Sequence, residues 1–138
     1  MLGEKIFEWT GKVQGQRVLS ADVEGPRMEI TFAGPLQGHG RLAPFKGMGT
    51  ATYIAVARPD GIFQGGGQGI VMAADGAGFT IDGFGRGRLR GGKFTYRGAL
   101  TFRSTAPNLS WVNEVVGVFE YEQDINTQEV TFTCYEWK

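Results

Sequence analysis

The sequence predicts a single all-β domain spanning residues 1–138, a closed antiparallel up-and-down barrel of about eight strands. Three observations support this fold class. Apolar and polar residues alternate with a period of two along most of the chain, which is the pattern of strands with one buried face. No segment shows the period of an amphipathic helix, and turn residues separate the alternating segments at short intervals. At 138 residues the chain can bury one core and is too short for two domains.

The alternating segments define the strands in chain order. The first segment is typical, because Phe7, Trp9 and Val13 share one face while polar side chains occupy the other. Short segments joined in sequence, without helices to cover a sheet, favour a barrel over a sandwich. The predicted strands are Glu4–Gln14, Arg27–Ala33, Gly49–Ala57, Ile62–Ala73, Phe79–Arg90, Lys93–Arg103, Asn113–Glu122 and Gln128–Trp137, with Arg17–Val23 as a candidate ninth.

Turn residues lie between the predicted strands. The segment Arg58–Gly61 has proline, aspartate and glycine in the order favoured by a type I turn followed by a bulge. Gly91 and Gly92 fit a two-residue hairpin that needs positive φ at both positions. Gly76 and the segment Asp124–Thr127 mark two further reversals, so the turns divide the chain in the same places as the alternation does.

Glycine is unusually frequent, with 23 residues, and several of them share one face of neighbouring strands. The other face carries arginines, so the glycine face is predicted to point inward. These glycines either let the strands curve and aromatic rings pack closely, or they leave room for a ligand. Hairpins centred on the predicted turns place Gly69 opposite Gly83, Gly67 opposite Gly85, Gly85 opposite Gly98 and Tyr53 beside Gly67. The glycine face consists of Gly65, Gly67, Gly69, Gly83, Gly85, Gly87 and Gly98.

The candidate ligand site combines this face with inward polar and aromatic side chains. The hydroxyl groups of Tyr53 and Tyr96, with that of Tyr121 nearby, would orient a small and largely apolar ligand. Trp111 would guard one end of the lumen, where Glu136 either acts as a general acid or base or simply reaches water. The predicted site residues are Tyr53, Gly67, Gly85, Tyr96, Trp111, Asn113 and Glu136.

Composition excludes several classes of function. One histidine and one cysteine, His39 and Cys134, cannot build a histidine or cysteine metal centre or an internal disulfide, so neither a metal site nor a cofactor is predicted. A formal net charge of zero argues against nucleic acid as a partner, and no apolar stretch approaches the length of a membrane span. Cytoplasmic residence is expected. Outward apolar pairs, such as Ile54 with Val56 and Ile70 with Met72, suggest a homo-oligomer.

Six segments together resemble a family of small uncharacterised bacterial and archaeal β-barrel proteins, over most of the chain. More distantly, the design is similar to the barrels of allene oxide cyclase-like and other calycin-like proteins. The first resemblance implies no particular activity. The second implies an eight-stranded barrel able to hold an apolar molecule, sometimes as a cyclase, with no catalytic motif to carry over. The segments are Trp9–Val13, Gly15–Leu19, Arg58–Gly61, Gly65–Gly69, Gly117–Glu122 and Glu136–Lys138.

Three hypotheses of function follow from the sequence. The first is the binding of a small, largely apolar ligand in the glycine-walled lumen. The second is a cyclase or isomerase acting in the same lumen, with Glu136 or a tyrosine handling a proton. The third is a filled barrel whose role is assembly with itself or with a partner through its outer faces.

Overall fold

The computed structural model describes residues 2–138, which form a closed barrel of eight antiparallel strands. Each strand pairs with the next in sequence, and β8 pairs with β1 to close the barrel. The predicted fold class is therefore confirmed. The strands are β1 (Leu2–Ser20), β2 (Arg27–Gly38), β3 (Lys46–Ala57), β4 (Phe63–Met72), β5 (Gly78–Arg90), β6 (Lys93–Arg103), β7 (Val116–Asp124) and β8 (Glu129–Trp137).

Two strand predictions were wrong. The candidate ninth strand Arg17–Val23 does not exist separately, because β1 continues without a break to Ser20 and absorbs its first residues. Register shifts within β1, between Val13 and Gly15 for example, bend the strand without ending it. The predicted strand Asn113–Glu122 begins too early, since a 3₁₀ helix, Pro107–Glu114, precedes β7.

The predicted registers hold for two of the three glycine-bearing hairpins. Tyr53 pairs with Gly67 across β3 and β4, and Gly85 pairs with Gly98 across β5 and β6, as expected. Between β4 and β5 the prediction was wrong by two residues, because Gly67 pairs with Gly83 rather than with Gly85. A shift of two keeps every side chain on its predicted face, so the glycine face still points inward.

The β4–β5 turn explains that shift. The backbone N–H of Ala73 donates to the carbonyl of Ala77, and Gly76, at φ +89°, occupies the left-handed position near the end of the loop. The hairpin is therefore centred one residue earlier than Gly76, on Asp75, as in a three-residue loop with a glycine bulge.

Aromatic rings fill most of the barrel interior. Phe7 and Trp9 of β1 are fully buried, and the Trp9 ring centroid lies 4.8 Å from that of Phe32. The indole Nε1 of Trp9 donates to the carbonyl of Gly34 at 3.0 Å, which satisfies its one polar group. Gly49 makes room for this ring, because a Cβ there would lie 2.5 Å from Trp9 Cζ2.

The two ends of the barrel differ. The lower end carries the start of β1, the end of β8 and the 3₁₀ helix Pro107–Glu114, whose buried Leu109 and Val112 cover the core. The upper end carries the four hairpins that join β1 to β2, β3 to β4, β5 to β6 and β7 to β8. Within residues 2–138, no helix combines the length and the apolar character that a membrane crossing requires.

Candidate functional site

A cavity of about 70 Å³ lies inside the barrel against the glycine face. Four predicted site residues, Tyr53, Gly67, Gly85 and Tyr96, line it together, and Tyr121 lies beside them. By comparison, a cavity of about 150 Å³ holds benzene, so this one has room for about three heavy atoms. The rings of the core have thus filled most of the lumen, and a small space remains.

The glycines around the cavity serve two different purposes. A Cβ on Gly67 would lie 2.6 Å from Tyr53 Cβ, and one on Gly85 would lie 2.6 Å from the Arg97 carbonyl oxygen. Close approach of neighbouring strands therefore requires these two glycines. At Gly65, in contrast, a Cβ would meet its nearest atoms at 3.5 Å, an ordinary contact distance. The missing side chain at Gly65 leaves space inside the barrel that the packing of the strands does not demand.

Three tyrosines from three strands form a cluster at the cavity, here called the tyrosine cluster: Tyr53, Tyr96 and Tyr121. Their ring centroids are 5.5–5.8 Å apart in all three pairs, with interplanar angles of 67–79°. These are edge-to-face arrangements, which aromatic quadrupoles favour. The three rings thus fix one another's positions and hold three hydroxyl groups in a largely apolar interior.

A buried hydrogen-bond network holds two of these hydroxyl groups. The Tyr53 and Tyr121 oxygens are 2.9 Å apart, and each lies 3.0 Å from Oε1 of Gln123, to which it can donate. Gln123 is 1% exposed, and its Nε2 donates to Oε1 of Gln128 at 3.1 Å, which orients the carboxamide. Gln128 has φ +67°, a left-handed conformation that is strained for a residue with a side chain.

The third hydroxyl group of the cluster has no partner. Tyr96 is 5% exposed, and its hydroxyl oxygen is buried without a hydrogen bond to any residue of the described chain. Burial raises the pKa of Tyr96 well above its ordinary value, and it does the same for Tyr53 and Tyr121. All three phenols are therefore neutral at physiological pH, and Tyr96 alone has a hydroxyl proton that is not engaged.

The other three predicted site residues lie at the lower end, away from the cavity. The Arg41 guanidinium lies 4.3 Å above the Trp111 ring, and its Nη1 contacts Oε1 of Glu136 at 3.0 Å. Glu136 is buried, and Nζ of Lys138 lies 3.7 Å from its other oxygen. The Arg41 guanidinium therefore stacks on the Trp111 ring and also pairs with Glu136, which joins the two residues at the lower end.

Asn113 does not reach the lumen. It is exposed in the 3₁₀ helix, where its Oδ1 accepts from the Ser104 N–H at 2.8 Å and its Nδ2 donates to the Ser104 carbonyl at 3.1 Å. The side chain thus clamps the two ends of the β6–β7 connection. It contributes to the shape of the lower end and has no contact with the cavity.

Sequence reasoning missed Gln123, Gln128 and Arg41. Gln123 carried a signal, since it follows Tyr121 by two residues on β7 and so shares its inward face. Gln128 and Arg41 lie outside regular strands, and their contacts arise only from the way the chain folds back at each end.

The remaining reactive side chains form no second centre. Cys134 is fully buried, and burial raises the pKa of its thiol. His39 is half-exposed beside Glu8, with its Nε2 3.7 Å from Oε2. Among residues 2–138, no group of three or more histidine, cysteine, aspartate or glutamate side chains is placed to hold a metal ion.

Known protein structures share this fold, and they indicate no activity for the chain. The sequence matches no protein-family model and no curated protein. In structure, the chain is similar to a protein of unknown function from Clostridium acetobutylicum ATCC 824, with a TM-score of 0.82, 20% identity and 98% of each chain covered. It is also similar to a beta-barrel like protein from Acinetobacter baumannii AYE, with a TM-score of 0.79, 15% identity and coverage of 100% of this chain and 96% of that one.

A third similar structure is described as an enzyme from Penicillium herquei. Its TM-score is 0.68 at 14% identity, with 96% of this chain and 92% of that chain covered. At such identities the likeness shows a shared fold alone. The structural neighbours are thus β-barrel proteins, mostly of unknown function.

Proposed function

We propose that the protein binds a small, neutral and largely apolar molecule in the cavity of the barrel, in a calycin-like manner. The observation that carries this proposal is the apolar space beside Gly65, where the missing side chain leaves room inside the barrel that the packing of the strands does not demand. The cavity is walled mainly by aromatic rings, aliphatic side chains and glycine backbone, so a guest gains free energy by burying its own apolar surface there.

The size of the cavity sets the affinity that such a ligand can reach. Small ligands gain at most about 1.5 kcal/mol per heavy atom, so three heavy atoms give at best a Kd of about 0.5 mM. A larger ligand would place only one end in the cavity. Its remainder would lie toward the upper end, where half-buried Phe63 and Phe94 stand with ring centroids 5.1 Å apart.

A filling variant with a matched control tests the proposal. Gly65→Ala adds a methyl group to the cavity wall at ordinary contact distances, whereas Gly66→Ala adds one to the outer face of the same strand, 3.7 Å from the nearest atom. We expect Gly65→Ala to weaken ligand binding at least fivefold and Gly66→Ala to leave it unchanged. Native mass spectrometry of the purified protein, before and after denaturation, first identifies what is bound. Equal affinities for the two variants would contradict the proposal.

An enzyme acting in the same cavity is the second candidate. The Penicillium herquei protein, whose fold this chain shares, is described as an enzyme, and Tyr96, whose ring lines the cavity, has a hydroxyl group without a partner. Glu136 does not line the cavity and gains no support for the acid–base role in a cyclase or isomerase. Loss of turnover without loss of binding in Tyr96→Phe would favour this candidate over simple binding.

We further propose that the protein is cytoplasmic and forms a homo-oligomer. Cytoplasmic residence agrees with a single cysteine that is buried and unpaired. Homo-oligomerisation is supported by exposed apolar side chains on the outer wall, of which Ile70, Met72 and Phe84 are more than half exposed. The native mass spectrum reports the oligomeric state directly, and a pure monomer at micromolar concentration would contradict homo-oligomerisation.

A further inference from the structure

We infer that a second copy of this chain packs against the outer wall of β4, β5 and β6, related to the first copy by a two-fold axis that crosses these strands at Phe84. This inference rests on the homo-oligomerisation proposed above and names the surface that forms the contact. It does not depend on a ligand in the cavity. It follows from an unshielded aromatic ring and from two unpaired charges that lie symmetrically on either side of that ring.

The side chain of Phe84 lies on the outer face of β5 with little to cover it. It is 70% exposed, whereas every other phenylalanine of the chain is buried or half-buried. Its directly opposite neighbours on β4 and β6 are Gly66 and Ala99, which have at most a methyl group to shield the ring. An exposed apolar surface of this kind gains free energy when a second surface buries it. The uncharged row that contains Phe84 runs in register from β3 to β7 and consists of Ile54, Gly66, Phe84, Ala99 and Val118.

Two charged residues of opposite sign flank Phe84 on the same face of β5. Asp82 precedes it and Arg86 follows it by two residues each, a separation of about 7 Å along a strand. Within residues 2–138, neither of these side chains forms an ion pair or a hydrogen bond. On the neighbouring strands, in contrast, Lys93 pairs with Glu122 at 2.8 Å. Asp82 and Arg86 are therefore free charges at equal distances from an exposed ring.

The cross-strand neighbours of these two residues leave both charges unsatisfied. Asp82 lies directly between Gln68 and Thr101, neither of which is charged. Arg86 lies directly opposite Arg97 on β6, and like charges in this position destabilise a sheet. A carboxylate brought to Arg86 from outside would offset that repulsion, and a guanidinium brought to Asp82 would neutralise it. The wall thus lacks one group of each sign, and it carries both of those groups itself.

A two-fold axis across the strands supplies both missing partners at once. Rotation about this axis reverses the strand direction and keeps Phe84 of one copy against Phe84 of the other, so that Asp82 of each copy meets Arg86 of the other. The same rotation sets Arg97 against Thr101, so like charges do not meet on β6. An axis parallel to β5 would instead set Arg86 against Arg86, which charge repulsion disfavours. The charges therefore select one orientation of the two copies.

The shape of the wall agrees with this orientation. A hollow on the Asp82 side of Phe84 is lined by Asp82 and Thr101, with Arg103 at its far end. On the opposite side of Phe84, Arg86 and Arg97 are exposed and carry long side chains. Because the two-fold rotation exchanges the two sides, the long arginine side chains of one copy lie over the hollow of the other.

Two charge reversals test the orientation, because each leaves like charges facing each other across the axis. We expect Asp82→Arg alone and Arg86→Asp alone to weaken self-association about tenfold or more, as measured by sedimentation velocity over a range of protein concentrations. An equimolar mixture of the two variants should associate about as tightly as the unmodified protein, because one variant is then positive and the other negative at both positions. The control Glu24→Arg reverses an exposed charge in the β1–β2 turn and should leave self-association unchanged.

A third variant tests the apolar part of the contact. Phe84→Ala removes the ring at the axis and should weaken self-association about tenfold or more. The barrel should remain folded, because the ring that is removed is 70% exposed in the single chain. Circular dichroism and thermal unfolding of each variant check that the fold is retained.

The outcomes distinguish this inference from the proposed function. A mixture of the two reversed variants that associates as weakly as either alone would overturn the inference, and so would a Phe84→Ala variant that associates like the unmodified protein. In both cases homo-oligomerisation through another surface would still stand. If a single reversal prevents folding, the double variant Asp82→Arg/Arg86→Asp restores opposite charges across the axis, and its failure to associate would equally refute the inference. An unmodified protein that stays monomeric at every concentration would overturn both the inference and the proposed oligomer, whereas ligand binding in the cavity is tested separately by Gly65→Ala.

Discussion

Replacement of Tyr96 by phenylalanine should make the unliganded protein more stable. The substitution removes a hydroxyl group that is buried without a partner and keeps the ring that packs against Tyr53 and Tyr121. The cost of such a group, about 1–3 kcal/mol, is then relieved. For a chain of 138 residues the unfolding entropy is about 0.3 kcal/mol/K, so the gain corresponds to a rise in Tm of about 3–10 °C.

A neighbouring tyrosine, Tyr121, provides a control whose substitution should lower the stability. Tyr121→Phe removes a donor from Oε1 of Gln123 and should lower the free energy of unfolding by about 1 kcal/mol. Urea titration and calorimetry of Tyr96→Phe, Tyr121→Phe and the unmodified protein measure both changes. A Tyr96→Phe variant that is equal to or less stable than the unmodified protein would show that the hydroxyl group has a partner in solution.

Three further predictions concern the strand packing, the phenols and the lower end. Gly98→Ala should lower the free energy of unfolding by about 3 kcal/mol, because a Cβ there lies 2.6 Å from the Gly85 Cα and closer still to a carbonyl oxygen. The control Gly15→Ala, where a Cβ would have no atom within 4 Å, should change it by no more than about 0.5 kcal/mol. Urea unfolding measures both changes. The free energy of unfolding should fall as pH rises above about 10, because burial raises the pKa values of the tyrosine cluster and the unfolded chain therefore loses its phenolic protons first. A free energy of unfolding that stays constant between pH 9 and 11 would contradict this prediction. Arg41→Ala should lower the free energy of unfolding by about 1 kcal/mol. A double-mutant cycle with Glu136→Gln should give a coupling energy of about 0.5–1 kcal/mol, and a coupling of zero would show that the ion pair does not stabilise the lower end.

The fold was predictable because each strand carries its own signal. Alternation is a local property, and a residue such as Trp9 shows which face of its strand is buried before any partner strand is known. The register across a hairpin depends on the turn as well. The glycine at position 76 marked the β4–β5 turn correctly but did not show that the loop is centred on Asp75, so the pairing was displaced by two residues.

The candidate site was predictable in part. Tyr53, Gly67, Gly85 and Tyr96 come from the four strands whose faces could be inferred, and they line one cavity. The polar network could not be inferred, since it depends on an amide orientation that Gln128 fixes from the loop between β7 and β8. Trp111 and Glu136 were correctly assigned to one end, but their link through Arg41 joins three parts of the chain that no local pattern relates.

Strand β4 separates the cavity from solvent by the thickness of a single bare backbone. Gly65 and Gly67 face the cavity, and exposed Gly66 between them faces outward with almost nothing around it. A dye attached through a cysteine at position 66 would sit outside the barrel, a few ångströms from any guest inside. The natural thiol, Cys134, is fully buried and would not compete for the label. The barrel wall thus offers a position for an optical sensor that reports occupancy without obstructing it.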